Sequence, residues 1–149
     1  MSRLVIDTNI WLDLLVFHDP SIRTLREALE QGQHTVLCTP AMRAELAVVL
    51  ARPQFHLDSS RQGIALSRYE ILTQTLPPPP PCNLSCRDPD DRKFLDLAVA
   101  HRADWLLSKD RALLAARRFA LRRFGLHIGT VTQMQQQSLS APTPAGPAC

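Results

Sequence analysis

Apolar residues recur along this chain in two patterns. Short continuous runs at Leu4-Val5-Ile6, Val36-Leu37-Cys38 and Trp105-Leu106-Leu107 have the length and the polar boundaries of strands buried on both faces. Between them the apolar positions take helical spacing. Residues 9–16 predict a short helix with Ile10, Leu14 and Phe17 on one side, stopped by His18-Asp19-Pro20. Residues 21–31 predict a second helix leaving at Gly32. Thr39-Pro40, a capping residue followed by a first-turn proline, opens a third helix to about residue 52, with Met42, Leu46, Val49 and Leu50 as its stripe. A fourth helix is expected over 59–76, with Ile64, Leu66, Ile71 and Leu72 available for packing. Further helices are expected over 90–102, 111–124 and 132–137, and a last strand over 127–131.

Strands alternating with helices specify an α/β fold, a three-layer α/β/α domain around a central parallel sheet. One domain over 1–137 accounts for every periodic segment. The prolines at 77–81 form a stiff extended connection. From residue 138 onward Ser, Pro, Gly and Ala without a periodic face predict a disordered tail over 138–149.

Composition narrows the class only slightly. A chain of 149 residues that is 45% hydrophobic and 21% charged suits one soluble domain, not a fibre or a disordered protein. It carries no apolar run of membrane-spanning length and no signal-peptide pattern, which predicts a cytoplasmic protein without a membrane partner. The four cysteines lack zinc-ligand spacing, and the five histidines share no segment, so neither type is assigned to a metal site or to catalysis. The net charge of +3 permits nucleic acid without requiring it.

The acids are more informative. Asp7 directly follows the first strand, at the carboxyl edge where open α/β sheets bind ligands. Asp7, Thr8 or Asn9 is equally suited to cap the next helix, so position alone leaves both roles open. Glu45 projects at the edge of the third helix's apolar stripe, where it either reaches water or is paired. In Asp88-Pro89-Asp90-Asp91, Asp88 suits the helix cap and Asp91 shares the inward face with Phe94, Leu95 and Ala98, while Asp96 falls on the opposite, solvated face. Asp110 follows the Trp105 strand, as Asp7 follows the first. Carboxylates gathered at one edge repel unless protonated or neutralised, and hard divalent cations take such oxygen ligands.

This combination resembles the PIN domain, a metal-dependent ribonuclease domain that includes VapC-like toxins of bacterial toxin and antitoxin pairs. The resemblance rests on Val5-Ile6-Asp7-Thr8-Asn9-Ile10-Trp11, on Glu45, on Asp88-Pro89-Asp90-Asp91 with Phe94-Leu95-Asp96-Leu97-Ala98, and on Trp105-Leu106-Leu107-Ser108-Lys109-Asp110. It implies that Asp7, Glu45, Asp91 and Asp110 form an acidic catalytic quartet holding Mg2+ or Mn2+, with Thr8, Asn9 and Ser108 in support. It also implies RNA as substrate, an antitoxin protein as partner and a possible homodimer. Arg92 and Lys109 depart from the pattern and bring cations next to the site.

Two other acid-bearing folds fit less well. A receiver domain needs a central phosphorylatable aspartate, and a haloacid-dehalogenase-type phosphatase needs Asp-x-Asp where this chain has Asp7-Thr8-Asn9. A catalytically inactive PIN-fold module that binds RNA or a partner is the alternative from another class. On one helix over 111–124, Arg111, Arg118 and Arg122 would fall within about 20° of one line, either a solvated face or a basic stripe for RNA.

Overall fold

The computed structural model describes residues 2–82 and 91–140, side chains of 138–140 excepted. The expected caps and acids at Asp88 and Asp90, with Cys86 and Cys149, lie outside the described residues. Five strands form one sheet: β1 Ser2–Ile6, β2 His34–Cys38, β3 Thr73–Thr75, β4 Trp105–Leu107 and β5 His127–Gly129. Every pair is parallel, in the order β3-β2-β1-β4-β5. The helices are α1 Thr8–Leu12, α2 Arg23–Glu30, α3 Pro40–Leu50, α4 Ser59–Leu72, α5 Arg92–Ala100, α6 Arg111–Leu114, α7 Arg117–Phe124 and α8 Val131–Ser140. They flank the sheet, giving the expected α/β architecture.

The strand order decides where a site can form. From central β1 the chain steps outward through β2 to β3, then crosses back to β4 on the other side of β1 and continues to β5. Neighbouring connections therefore leave β1 and β4 in opposite directions, opening a crevice at their carboxyl ends. Asp7, Ser108 and Asp110 follow those two ends. The strands beneath are wholly apolar at their centres: Leu4, Val5, Leu106 and Leu107 are fully buried, and α5 covers them with Phe94, Leu95, Leu97 and Ala98.

Several expectations change at element boundaries. The first helix widens after Leu12 into a π-helical turn over Asp13–Phe17, ended by His18 in the left-handed conformation. The wider turn rotates Phe17 away from the Ile10 and Leu14 stripe, and Phe17 is exposed, against Phe55. The fourth helix ends at Leu72, and Thr73–Thr75 form an edge strand beside β2. β-branched Thr73 and Thr75 carry too little apolar signal to announce it. In α4 the buried positions are Ala65 and Tyr69, whereas Ile64 and Ile71 face solvent. Tyr69 is placed by an edge contact with Trp11 at 4.8 Å, an aromatic pairing between distant segments.

Residues 111–124 are not one helix. Ala116 N–H bonds Leu113 O at 3.1 Å, a tightened turn that separates α6 from α7, and Gly125 in the left-handed conformation closes α7. α8 runs to Ser140, beyond the expected domain boundary at residue 137, while residues 141–149 lie outside the described residues. Among the described residues no helix is long and apolar enough to cross a membrane.

Because Leu106 is fully buried in β4 between Val5 and Ile128, Leu106→Ala leaves a cavity under the crevice. Urea unfolding should show a loss of about 2–5 kcal/mol. A loss under about 1 kcal/mol would mean that this part of the core collapses around the gap.

Candidate functional site

Asp7 stands at the N-terminus of α1, yet its side chain makes no capping bond. It is nearly inaccessible to solvent, and its Oδ2 accepts a 2.7 Å hydrogen bond from Ser108 Oγ. Ser108, itself fully buried, takes a 2.9 Å bond from the backbone N–H of Asp110. The ends of β1 and β4 are thus tied by one relay, Asp110 N–H to Ser108 hydroxyl to Asp7 carboxylate. Both strands also join through backbone: Asp7 N–H donates to Leu107 O at 2.9 Å. The cap reading of Asp7 fails on this geometry.

Burial pushes the Asp7 carboxyl above its ordinary pKa, and the charges of Asp110 and Glu45 push it the same way. The Ser108 hydroxyl and the Thr8 backbone N–H oppose the rise by bonding the charged form. Asp110 and Glu45 therefore both stand near enough to act on Asp7. Asp110 also has a local structural role, since its Oδ1 accepts the Ala112 N–H at 2.7 Å and caps α6.

Glu45 reaches the site from the first half of α3. Thr39 caps that helix with its hydroxyl on Met42 N–H, and Pro40 begins it. Glu45 Oε2 accepts from Thr8 Oγ1 at 2.5 Å, and Glu45 Oε1 receives Lys93 Nζ at 2.9 Å. Thr8 thus bonds one acid of the expected quartet. Asn9 is exposed.

Asp91 is buried at the N-cap of α5, one position before the helix instead of within its first turn. Two residues later Lys93 meets Glu45, so the start of α5 lies at the same edge of the sheet as Thr8 and Asp7. Asp96 is a correction. Its side chain is only 14% exposed and its Oδ1 accepts Cys82 N–H at 2.8 Å, because the segment after the proline run lies across that face.

The cations near the site are also redistributed. Lys109 binds Asp13 at 2.6 Å, and Arg92 donates to Cys82 O at 2.9 Å. Among the described residues Lys93 is the cation that meets an acid of the expected quartet. Sequence reasoning overlooked it because a lysine in the first turn of an amphipathic helix has no distinguishing pattern. Arg118 and Arg122 share α7, but the turn at Ala115-Ala116 puts Arg111 on a separate helix, so the expected line through all three is interrupted.

Among the described residues no three His, Cys, Asp or Glu side chains form a ready-made metal cluster. The donor chemistry nevertheless fits a hard divalent cation: the ionisable groups that act on one another are carboxylates, without thiol or imidazole among them. A cation would offset the burial, and with it the repulsion from Asp110 and Glu45, that together raise the Asp7 pKa.

No curated protein matches the chain. The family model of the PIN domain matches residues 3–112, from β1 through Asp110 into α6, and so spans every acid of the site. PIN domains are generally nucleases and typically use divalent metal ions, in agreement with the acidic crevice at the switch between β1 and β4. By that match over most of its length, the chain belongs to the PIN domain family.

Proposed function

We propose that this protein is a Mg2+- or Mn2+-dependent endoribonuclease that hydrolyses RNA phosphodiester bonds at the β1–β4 crevice. The observation that carries the reading is the buried Asp7 carboxylate, held by Ser108 and repelled by Asp110 and Glu45. A buried acid under like-charge repulsion is costly for a purely structural part, and perturbed groups of this kind cluster at functional sites. Asp7, Glu45, Asp91 and Asp110 are the proposed ligands. Divalent ions bound there would supply a water of lowered pKa and neutralise charge on the phosphate.

The chain's own residues do the positioning. Ser108 fixes one oxygen of Asp7 and Thr8 fixes one oxygen of Glu45, so each carboxylate presents a defined second oxygen. Lys93 neutralises Glu45 in the ion-free protein and brings a positive charge to the crevice where a phosphate would lie. The family resemblance further supports a role as the toxin of a toxin–antitoxin pair, with an antitoxin as protein partner and a homodimer as assembly.

Asp7→Asn keeps the size of the side chain and can still accept from Ser108, but it removes the charge. Cleavage of single-stranded RNA in Mn2+ should fall at least about a hundredfold, the upper end of what removing a group that supports a metal site costs. Wild-type protein that binds RNA but never cleaves it, with or without chelator, would support the inactive binding module instead.

The raised Asp7 pKa sets the sign of a pH effect. Between the unfolded value, about 4, and the higher folded value, the native state holds the extra proton, so rising pH lowers the stability of ion-free protein through that window. Thermal melts in EDTA should show this component in the wild type and lack it in Asp7→Asn. Added Mn2+ should offset it as pH rises, because the metal takes the deprotonated acid.

Lys93→Met removes the ammonium that occupies Glu45. Titration calorimetry should then find Mn2+ bound about two- to fivefold more tightly, the worth of a partly exposed ion pair. Unchanged affinity would mean that Lys93 and the ion do not compete.

A further inference from the structure

Beyond β5, the open edge of the sheet is flanked by α7 and α8, and a cleft of about 300 Å³ lies between them. Trp105, His127, Arg117, Arg118, Leu121 and Gln137 are among its lining residues. His127 stacks on Trp105 with ring centres 4.8 Å apart and planes 18° from parallel. Gln137 Nε2 approaches His127 Nε2 at 3.5 Å. The wall on the α8 side is locked by a reciprocal cap in which Gln133 Oε1 accepts Thr130 N–H and Thr130 Oγ1 accepts Gln133 N–H. Gly129 makes room for this wall: a Cβ there would stand 2.6 Å from Gln133 Oε1 and 3.0 Å from the Trp105 ring.

Arg117 and Arg118 also line a second hollow of about 460 Å³, together with Arg111, Leu114 and Ala115. Arg111 is the residue after Asp110. The turn at Ala115-Ala116 that breaks the expected helix lies between these arginines, so a concave basic surface stands where a straight helix would present a convex stripe. Two hollows sharing Arg117 and Arg118 therefore connect Arg111, the residue after Asp110, with the stacked rings at the sheet edge.

We propose that this track holds single-stranded RNA running out of the crevice, with backbone phosphates on Arg117 and Arg118 and one unstacked base received in the cleft beside His127 and Leu121. The proposal rests on the ribonuclease reading and adds to it a substrate subsite distant from the acids. Planar guanidinium groups pair with phosphate oxygens, and an exposed base finds an aromatic platform and an apolar wall. Arg122 and Arg123 fall outside both hollows. They lie in the last turn of α7, where positive charge favours the helix C-terminus.

The test is fluorescence anisotropy of a short labelled oligouridylate in EDTA, where binding is read without cleavage. Arg117→Ala with Arg118→Ala should weaken binding and lower the slope of log affinity against log salt by about 0.7 for each phosphate no longer neutralised. His127→Ala should weaken it by roughly tenfold with the slope unchanged, as expected when a base loses its stacking platform. Arg122→Ala should do neither. Thermal stabilisation by Mn2+ should survive in the arginine pair, whose side chains are exposed.

Wild-type affinity and slope in the Arg117, Arg118 double variant would overturn the track. The ribonuclease reading would then still stand if the same preparation cleaves RNA in Mn2+ and Asp7→Asn does not. Wild-type protein that fails to bind the oligouridylate overturns the track as well, and absence of cleavage beside it removes the ribonuclease reading too. Tight binding of a polyglutamate peptide in place of RNA, abolished in the double variant, would make the cleft a docking site for an acidic protein segment and would also overturn it.

Discussion

The structure depends on holding an ionisable carboxylate, Asp7, almost completely out of water at the end of its central strand. A charge there is tolerable only if hydrogen bonds and counter-charges are supplied from several directions. The hydrogen bonds come from separate parts of the chain, the Ser108 hydroxyl after β4 and the Thr8 backbone after β1, while the acids from α3 and the loop before α6 add repulsion that a cation would have to offset. The parallel order β3-β2-β1-β4-β5 is what brings those parts to one place, since it makes β1 and β4 neighbours although about a hundred residues separate them. Removing the relay would leave both a buried charge and a buried hydroxyl without their bonds.

The charges around this acid form layers. Glu45 is bridged to Thr8 and Lys93, so the start of α5 is pinned to α3 and α1 across the crevice. Lys109 is drawn to Asp13, which the π-helical turn places beside the loop that carries Asp110. π-helical turns occur often at functional sites, and here the turn carries Asp13, the partner of Lys109. Arg92 and Asp96 hold the segment around Cys82 against α5, fastening the end of the proline run to the helix that carries Lys93. Each ion pair on its own is weak where it meets solvent, but together they limit how the acids can move.

The far edge of the sheet is built by a different compromise. β5 is short and has no further strand beside it among the described residues, and edges of that kind need protection. α7 and α8 flank it and enclose a lined cleft, with Gly129 and Trp105 packed beneath Gln133. The tightened turn between α6 and α7 bends the basic segment around this edge. One local departure from helix geometry thus changes both the shape of the surface and which arginines can act together.

Local chemistry in the sequence determined the alternation of buried strands and amphipathic helices, the capped start at Thr39-Pro40, the glycine exits at Gly32 and Gly125, and the inward stripe of Met42, Leu46, Val49 and Leu50. These depend on residues within one or two turns of each other, so they can be read along the chain. Asp7, Glu45 and Asp110 were recognisable as candidates from their places after strands and on a helix face. Only the tertiary structure decided that Asp7 bonds Ser108 instead of capping its own helix, and that Lys93 is the partner of Glu45. It likewise decided that Tyr69, not Ile71, turns inward, and that Thr73–Thr75 becomes a strand because β2 offers an edge. Each of those outcomes is set by a partner many residues away, and a periodic pattern carries no information about which distant group will arrive.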